Sequence, residues 1–174
     1  MGVSKGVLGL SGGVTSAVTC AIACEGLGEE NILGVAMPSP YTSDQSIEDA
    51  KELAENLCCP FEIIAISSVF AAFKESLGNV FAAFENNVSQ KIDVTEQNLQ
   101  ARIRGNILMA LSNKNGSLLL STGNKSEMAL GYCTLYGDIS SGMAVIPDVT
   151  KQMRYELDRS INYTRENIPK RRTN

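Results

Sequence analysis

The stretch Val7-Leu8-Gly9-Leu10-Ser11-Gly12-Gly13-Val14-Thr15-Ser16 decides how this chain is read. A short apolar strand runs into Ser-Gly-Gly and then into a helix-forming stretch of Ala, Val and Cys. That order aims backbone N–H groups and a helix N-terminus at a bound anion. The run therefore reads as a pyrophosphate cradle. Gly12 and Gly13 allow a sharp turn and a close approach of the backbone to phosphate oxygens, while Ser11 and Ser16 add hydroxyl donors. The loop has neither the Lys of G-x-x-x-x-G-K-[ST] nor the spacing of G-x-G-x-x-G, which sets back the P-loop and dinucleotide-fingerprint readings. Ser-Gly-Gly is also an ordinary turn; the strand before it and the helix after it weigh against that.

Outward from the loop, apolar runs alternate with helical stretches: 7–10 then 16–27, 32–37 then 46–57, 61–66 then 68–77. This rhythm predicts an α/β domain, a parallel sheet with helices on both faces and ligands at the carboxyl ends of its strands. Ile47, Ala50, Ala54 and Leu57 recur at helical spacing, and Ser46 with Asp49 reads as a capping box. Phe70, Phe73, Phe81 and Phe84 fall near helical spacing and are expected in the core. A long helix is predicted over 94–113, carrying Asn98, Arg102, Arg104 and Asn106. Asn113-Lys114-Asn115-Gly116 follows as a turn and 118–120 as a fourth strand. Pro38 and Pro40 fall in the loop past the second strand, where a base is expected.

The chain has 174 residues, 44% of them hydrophobic, enough for one domain with its own core. No apolar run reaches the length of a membrane span and no targeting signal is apparent, so a cytoplasmic protein is expected. Histidine is absent, which removes Ser-His and Cys-His catalysis and every zinc site that needs imidazole. Cys20, Cys24, Cys58, Cys59 and Cys133 show no C-x-x-C spacing and are expected to be buried, reduced thiols. Cys20 and Cys24, one helical turn apart, suit small core positions. The net charge of −4 is unevenly spread. Residues 1–100 hold four lysines and no arginine against thirteen acids, whereas 101–174 hold eleven cationic residues against six acids. A basic second half suits an anionic ligand, and equally an ordinary solvated surface. Nucleic-acid motifs are missing.

Past the fourth strand come Ser121-Thr122-Gly123-Asn124-Lys125-Ser126-Glu127 and Gly131-Tyr132-Cys133-Thr134-Leu135-Tyr136-Gly137-Asp138. With Asn98-Leu99-Gln100-Ala101-Arg102-Ile103-Arg104 and Met37-Pro38-Ser39-Pro40-Tyr41-Thr42-Ser43, they give four ordered motifs over nearly the whole chain. In these the chain resembles the synthetase domain of NAD synthetase, particularly the glutamine-dependent bacterial form. Its first loop resembles the SGG-x-D-S loop of the ATP pyrophosphatase superfamily.

The resemblance implies an adenine nucleotide alpha hydrolase-like, Rossmann-like fold over residues 1–174. It implies a ligase that adenylates deamido-NAD with ATP, releases pyrophosphate, and lets ammonia displace AMP to give NAD. It also implies Mg²⁺ on the phosphates and a homodimer, for which apolar helical segments 81–84 and 107–111 are available. By position, Gly9, Ser11, Gly12, Gly13, Ser16, Thr122 and Lys151 match ATP-binding residues. Asn98, Arg102, Tyr132, Thr134 and Asp138 match the deamido-NAD region, and Glu127 matches a metal ligand.

Thr15 stands where the superfamily carries a magnesium-binding Asp. A glutaminase domain is not expected in this chain, so free ammonia or a separate glutaminase would serve, and the family's C-terminal segment is expected to be cut short. Taken singly, these residues have plainer uses. Thr122 can end a strand, Glu127 and Lys151 can begin helices, Arg102 and Arg104 can be solvated, and Tyr132 and Tyr136 can pack. Two other readings stay open: a nucleotide-binding remnant without turnover, and another ATP pyrophosphatase of the GMP synthetase or tRNA-modifying kind.

Overall fold

The computed structural model describes residues 2, 4–85, 94–131, 133–137, 142–164, 168 and 169. Strand β1 is Gly6–Gly9, β2 Ile32–Ala36, β3 Phe61–Ile63, β4 Leu118–Ser121 and β5 Met143–Ala144. The helices are α1 Val14–Leu27, α2 Asp44–Asn56, α3 Ser67–Glu85, α4 Thr95–Asn115, α5 Lys125–Leu130 and α6 Lys151–Thr164. The strands lie in the order β3-β2-β1-β4-β5, every pair parallel.

Successive side chains of a strand point to opposite faces, and β1 divides its two buried residues accordingly. Leu8 joins a core with Val18, Cys20, Ile32 and Leu53, beneath α1, α2 and α6. Val7 joins a second core with Val35, Ile66, Phe70 and Ile103, beneath α3 and α4. Leu119 and Leu120 of β4 split the same way. A central strand buried on both sides has no polar face, which explains why 7–10 reads as a continuous apolar run.

The parallel sheet with helices on both faces is as expected, with local corrections. Residue 10 leaves the ladder, although its N–H still reaches the Val35 carbonyl at 2.8 Å. β3 stops at Ile63, and α3 runs to Glu85 rather than ending at 77. Helix α4 continues to Asn115 and closes on Gly116 in the left-handed region, φ 62°, so 113–115 is helix and only Gly116 turns. The Ser46–Asp49 box is not formed. Ser43 caps α2 instead, its side chain accepting from the Ser46 N–H, and Asp49 accepts from the Gln45 side chain at 2.8 Å. Phe73 is exposed because α3 buries the stripe containing Phe70, and Phe73 lies to one side of it; the side chain of Phe84 lies outside the described residues. Cys20, Cys24 and Cys59 are buried, Cys58 is exposed, and Cys133 is half-buried. Among the described residues no helix is long and apolar enough to cross a membrane.

Candidate active site

Strand order reverses direction between β1 and β4, and a crevice opens at the carboxyl ends of such strands. A cavity of about 590 Å³ fills that position. Gly9, Ala36, Ser121 and Ala144, the last residues of β1, β2, β4 and β5, all line it.

One wall is the loop 11–16. The Ser11 and Ser16 hydroxyls stand 3.2 Å apart, and the Ser16 hydroxyl donates to the Gly13 carbonyl at 2.9 Å. The Ser11 hydroxyl accepts from the Gly13 N–H at 3.3 Å. These bonds hold the turn in shape before any ligand arrives. Gly13 caps α1 with no side-chain hydrogen bond, so the first turn of α1 brings its N–H groups and positive dipole end to the edge of the cavity. Gly12 has φ +72°, and a Cβ there would stand 2.3 Å from the carbonyl oxygen of Ser46. Its missing side chain therefore serves contact with α2; neither Gly12 nor Gly13 lines the main cavity.

The opposite wall begins where β4 ends. Asn124 caps α5 by accepting from the Ser126 and Glu127 N–H groups, and a Glu127 carboxylate oxygen accepts from the Asn124 N–H at 3.2 Å. This is a complete capping box. It fixes Glu127 at the cavity beside Thr122 and Gly123.

Gly9, Ser11, Thr15, Ser16, Thr122 and Glu127 are thus brought together. Lys151 is not among the lining residues. It is the exposed first residue of α6, where its N–H donates to the Ser126 hydroxyl at 3.0 Å. Asn98, Arg102 and Thr134 form a neighbouring group outside the lining. The Thr134 hydroxyl donates to the Asn98 side chain at 3.0 Å, and Arg102 Nε donates to the Leu135 carbonyl at 3.2 Å. The loop that carries Thr134 reaches the cavity through Cys133 and Gly137. Tyr132 and Asp138 lie outside the described residues. Tyr136 is exposed, with φ 61°, and does not pack in the core.

Arg104, which the 98–104 motif contains but to which the sequence assigns no ligand, lines the cavity and donates from Nε to the Met37 carbonyl at 3.1 Å. Helical phase would have found it. Ala101, Arg104, Gly105 and Leu108 follow the i, i+3, i+4, i+7 stripe and all line the cavity, whereas Arg102 is turned away from it.

The hydroxyl at position 15 is engaged by the protein itself. Arg154, a buried residue of α6, donates from its guanidinium to the Thr15 hydroxyl. A hydroxyl facing a cation is a poor ligand for a second cation. Glu127 is the one carboxylate among the described lining residues.

A family model described as NAD synthase matches residues 1–173. The chain is 51% identical to the glutamine-dependent NAD(+) synthetase of Synechocystis sp. over 97% of its own length and 29% of the relative's. To the enzyme of that name from Thermotoga maritima it is 56% identical over 92% of its length and 27% of the relative's. It superimposes on the glutamine-dependent NAD+ synthetase of Acinetobacter baumannii, solved in complex with ADP, with a TM-score of 0.92 and 46% identity. That match covers 99% of this chain and 32% of the solved one. The chain thus spans about three tenths of the length of the curated relatives it matches. With an all-parallel sheet covered by helices on both faces, a Ser-Gly-Gly loop facing the β4 wall across one crevice, and identity along nearly all its length, the chain belongs to the NAD synthase family.

Proposed function

We propose that this chain carries the ATP-using half of NAD synthesis: adenylation of the nicotinate carboxylate of deamido-NAD, followed by amidation with ammonia. The observation that carries the reading is the crevice between β1 and β4, where the loop 11–16 faces Thr122 and Glu127 across a cavity of about 590 Å³. That volume lies within the range of small-molecule sites. An ADP complex of a 46% identical relative supports a nucleotide in it.

In this reading the triphosphate lies along the loop 11–16. A carboxylate oxygen of deamido-NAD attacks the α-phosphorus, the bond to the bridging oxygen breaks, and pyrophosphate leaves. Ammonia then attacks the acyl carbon of the adenylate, a C–N bond forms as the acyl C–O bond of the mixed anhydride breaks, AMP departs with that bond's electron pair, and the nitrogen gives up one proton to solvent. Negative charge builds on the α-phosphate and the pyrophosphate, where fixed donors stabilise it without reorganising. Those donors are the first-turn N–H groups of α1, the Ser11 and Ser16 hydroxyls, and the Arg104 guanidinium. Two anions must also be held in line, and removing their freedom to tumble supplies much of the rest. Asn98, Arg102, Thr134, Tyr132 and Asp138 are proposed to hold deamido-NAD, and Lys151 to approach ATP from α6.

Mg²⁺ fits this donor set in part. Glu127 would hold it together with phosphate oxygens and water, and Thr15 would not, since Arg154 occupies its hydroxyl. When bound, Mg²⁺ would offset charge on the phosphates.

We also propose a homodimer in the cytoplasm, with Val69, Phe73 and Val80 on the exposed side of α3 as an apolar surface for a second copy. Ammonia would come from solution or from a glutaminase, as the names of the glutamine-dependent relatives suggest.

The test is incubation with ATP, deamido-NAD and ammonium, following AMP, pyrophosphate and NAD separately. Pyrophosphate and AMP that form only when deamido-NAD is present support the reading. ATP cleavage indifferent to deamido-NAD, or no binding of either, would overturn it.

A further inference from the structure

Away from the cavity, on the face of the sheet covered by α1 and α2, three thiols meet. Cys20 and Cys24 lie four residues apart in α1, the spacing that sets two side chains on one side of a helix. Cys59 comes from the segment between α2 and β3, and its Sγ is 4.0 Å from that of Cys20. The three sulfur atoms lie within 4.8 Å of one another, and all three residues are buried. Among the described residues, no other group of three His, Cys, Asp or Glu ligand atoms converges in this way.

Local backbone geometry delivers Cys59. The Cys58 N–H donates to the Glu55 carbonyl and the Cys59 N–H to the Ala54 carbonyl, both at 3.1 Å, the paired bonds of a Schellman motif closing α2. The motif requires a left-handed residue, and Cys58 supplies it at φ 55°. Cys58 is thereby left at the surface while Cys59 turns inward onto Cys20. Hydrogen bonds with Cys24 and Cys59, with burial added, hold the Cys20 thiol well above its usual range. Hydrogen bonds from Cys20 and then Cys24 lower Cys59.

Thiolates are the preferred ligands of soft d¹⁰ cations. Three sulfurs about 2.3 Å from a common centre in one plane stand about 4.0 Å apart, which is the Cys20–Cys59 separation. A structural Zn²⁺ takes four ligands, and no fourth joins this group among the described residues. We propose that Cys20, Cys24 and Cys59 form a buried three-sulfur site for a soft d¹⁰ cation, of which Cu⁺ fits best. Binding exchanges thiol protons for the cation and releases them to solvent, with no change of oxidation state. The site would tie the helix that follows the phosphate loop to the end of α2, and it does not depend on the reaction proposed above.

The test uses the full chain, reduced and free of oxygen, titrated with Cu⁺ and separately with Zn²⁺ against a chromogenic chelator. X-ray absorption then reads the metal's ligand shell. One Cu⁺ per chain is expected, bound by three sulfurs, with a higher melting temperature. Affinity is expected to fall at least about tenfold in Cys20→Ala and Cys59→Ala and to stay unchanged in Cys58→Ser and Cys133→Ser. Should a core variant fail to fold, alkylation of the copper-loaded native chain serves instead, with modification expected at Cys58 and Cys133 alone. Copper lost entirely to the chelator, equal retention by Cys20→Ala and Cys59→Ala, two sulfurs in the shell, a four-ligand Zn²⁺ in place of Cu⁺, or alkylation of all five cysteines in the loaded chain would each overturn the proposal.

Discussion

The guanidinium of Arg154, in the first turn of α6, donates a hydrogen bond to the hydroxyl of Thr15, in the first turn of α1. A cation therefore stands against the hydroxyl at position 15. Arg154 is buried, and its guanidinium lies 4.9 Å from the ring centre of Tyr155. The contact holds α6 against α1.

A carboxylate placed at position 15 alone will not make a metal ligand. In Thr15→Asp the new side chain meets Arg154 and pairs with it, so Mg²⁺ affinity of the ATP complex should shift by less than about threefold. In the double variant Thr15→Asp with Arg154→Leu it should rise about tenfold or more, near 1.4 kcal/mol. Calorimetric titration of Mg²⁺ into the ATP-loaded chain separates the two. A full gain in the single variant would show that Arg154 does not hold position 15.

Asp158, one turn beyond Arg154, is fully buried, and one of its carboxylate oxygens has no hydrogen-bond partner among the described residues. Burial raises its pKa above the usual carboxylate range, with nearby Arg159 opposing in smaller measure. A carboxyl whose folded pKa is raised does not penalise folding while it is protonated in both states. The penalty appears as pH climbs past the ordinary carboxylate range and is complete above the raised folded value. Asp158→Asn should therefore stabilise the chain at neutral pH by about 1 kcal/mol, with the gain fading below the ordinary carboxylate range. Denaturant melts at several pH values check both the sign and the fading.

Gly12→Ala should be among the most damaging single changes. It combines a left-handed backbone with a Cβ placed 2.3 Å from the Ser46 carbonyl oxygen, which belongs to backbone and cannot rotate away. A loss of about 3 kcal/mol or more is expected, or a displaced loop that no longer takes ATP. Gly26→Ala, where a Cβ would meet nothing within 4 Å among the described residues, is the control and should fold normally. Thermal unfolding with and without ATP reads both.

Cys58→Gly should do the opposite. Cys58 is exposed and held at φ 55° by the Schellman bonds, a conformation that costs an L-residue about 1–2 kcal/mol and glycine nothing. After the added freedom of glycine in the unfolded chain, a gain of about 0.5–1 kcal/mol remains, measurable as a higher denaturant midpoint.

The sequence was legible where one local signal had no competitor. The run 7–10 is apolar because β1 is buried on both faces, and Ser-Gly-Gly marks the end of that strand. The α2 cap was misplaced by three residues because Ser43 and Ser46 are equally good caps in one dimension, and only the tertiary path of the chain chooses Ser43. Two-residue β5 carries no periodicity to read, and its pairing to β4 is wholly long-range. Arg104 and Arg102 look alike in sequence, and helical phase against the neighbouring cavity separates them. Nothing in the sequence marked Arg154 as a partner of Thr15, 139 positions away. Cys59 reaches Cys20 through a backbone turn that a cysteine pair in sequence does not announce.

The central claim is that the crevice between β1 and β4 binds a nucleotide through its phosphates. Calorimetric titration with ATP, ADP and AMP tests it most directly, repeated with Arg104→Ala. ATP should bind tightest and AMP weakest, and Arg104→Ala should cost ATP about tenfold in affinity while leaving the melting temperature of the free chain nearly unchanged. Equal binding of AMP and ATP, or an Arg104→Ala chain that binds ATP as the parent does, would contradict it.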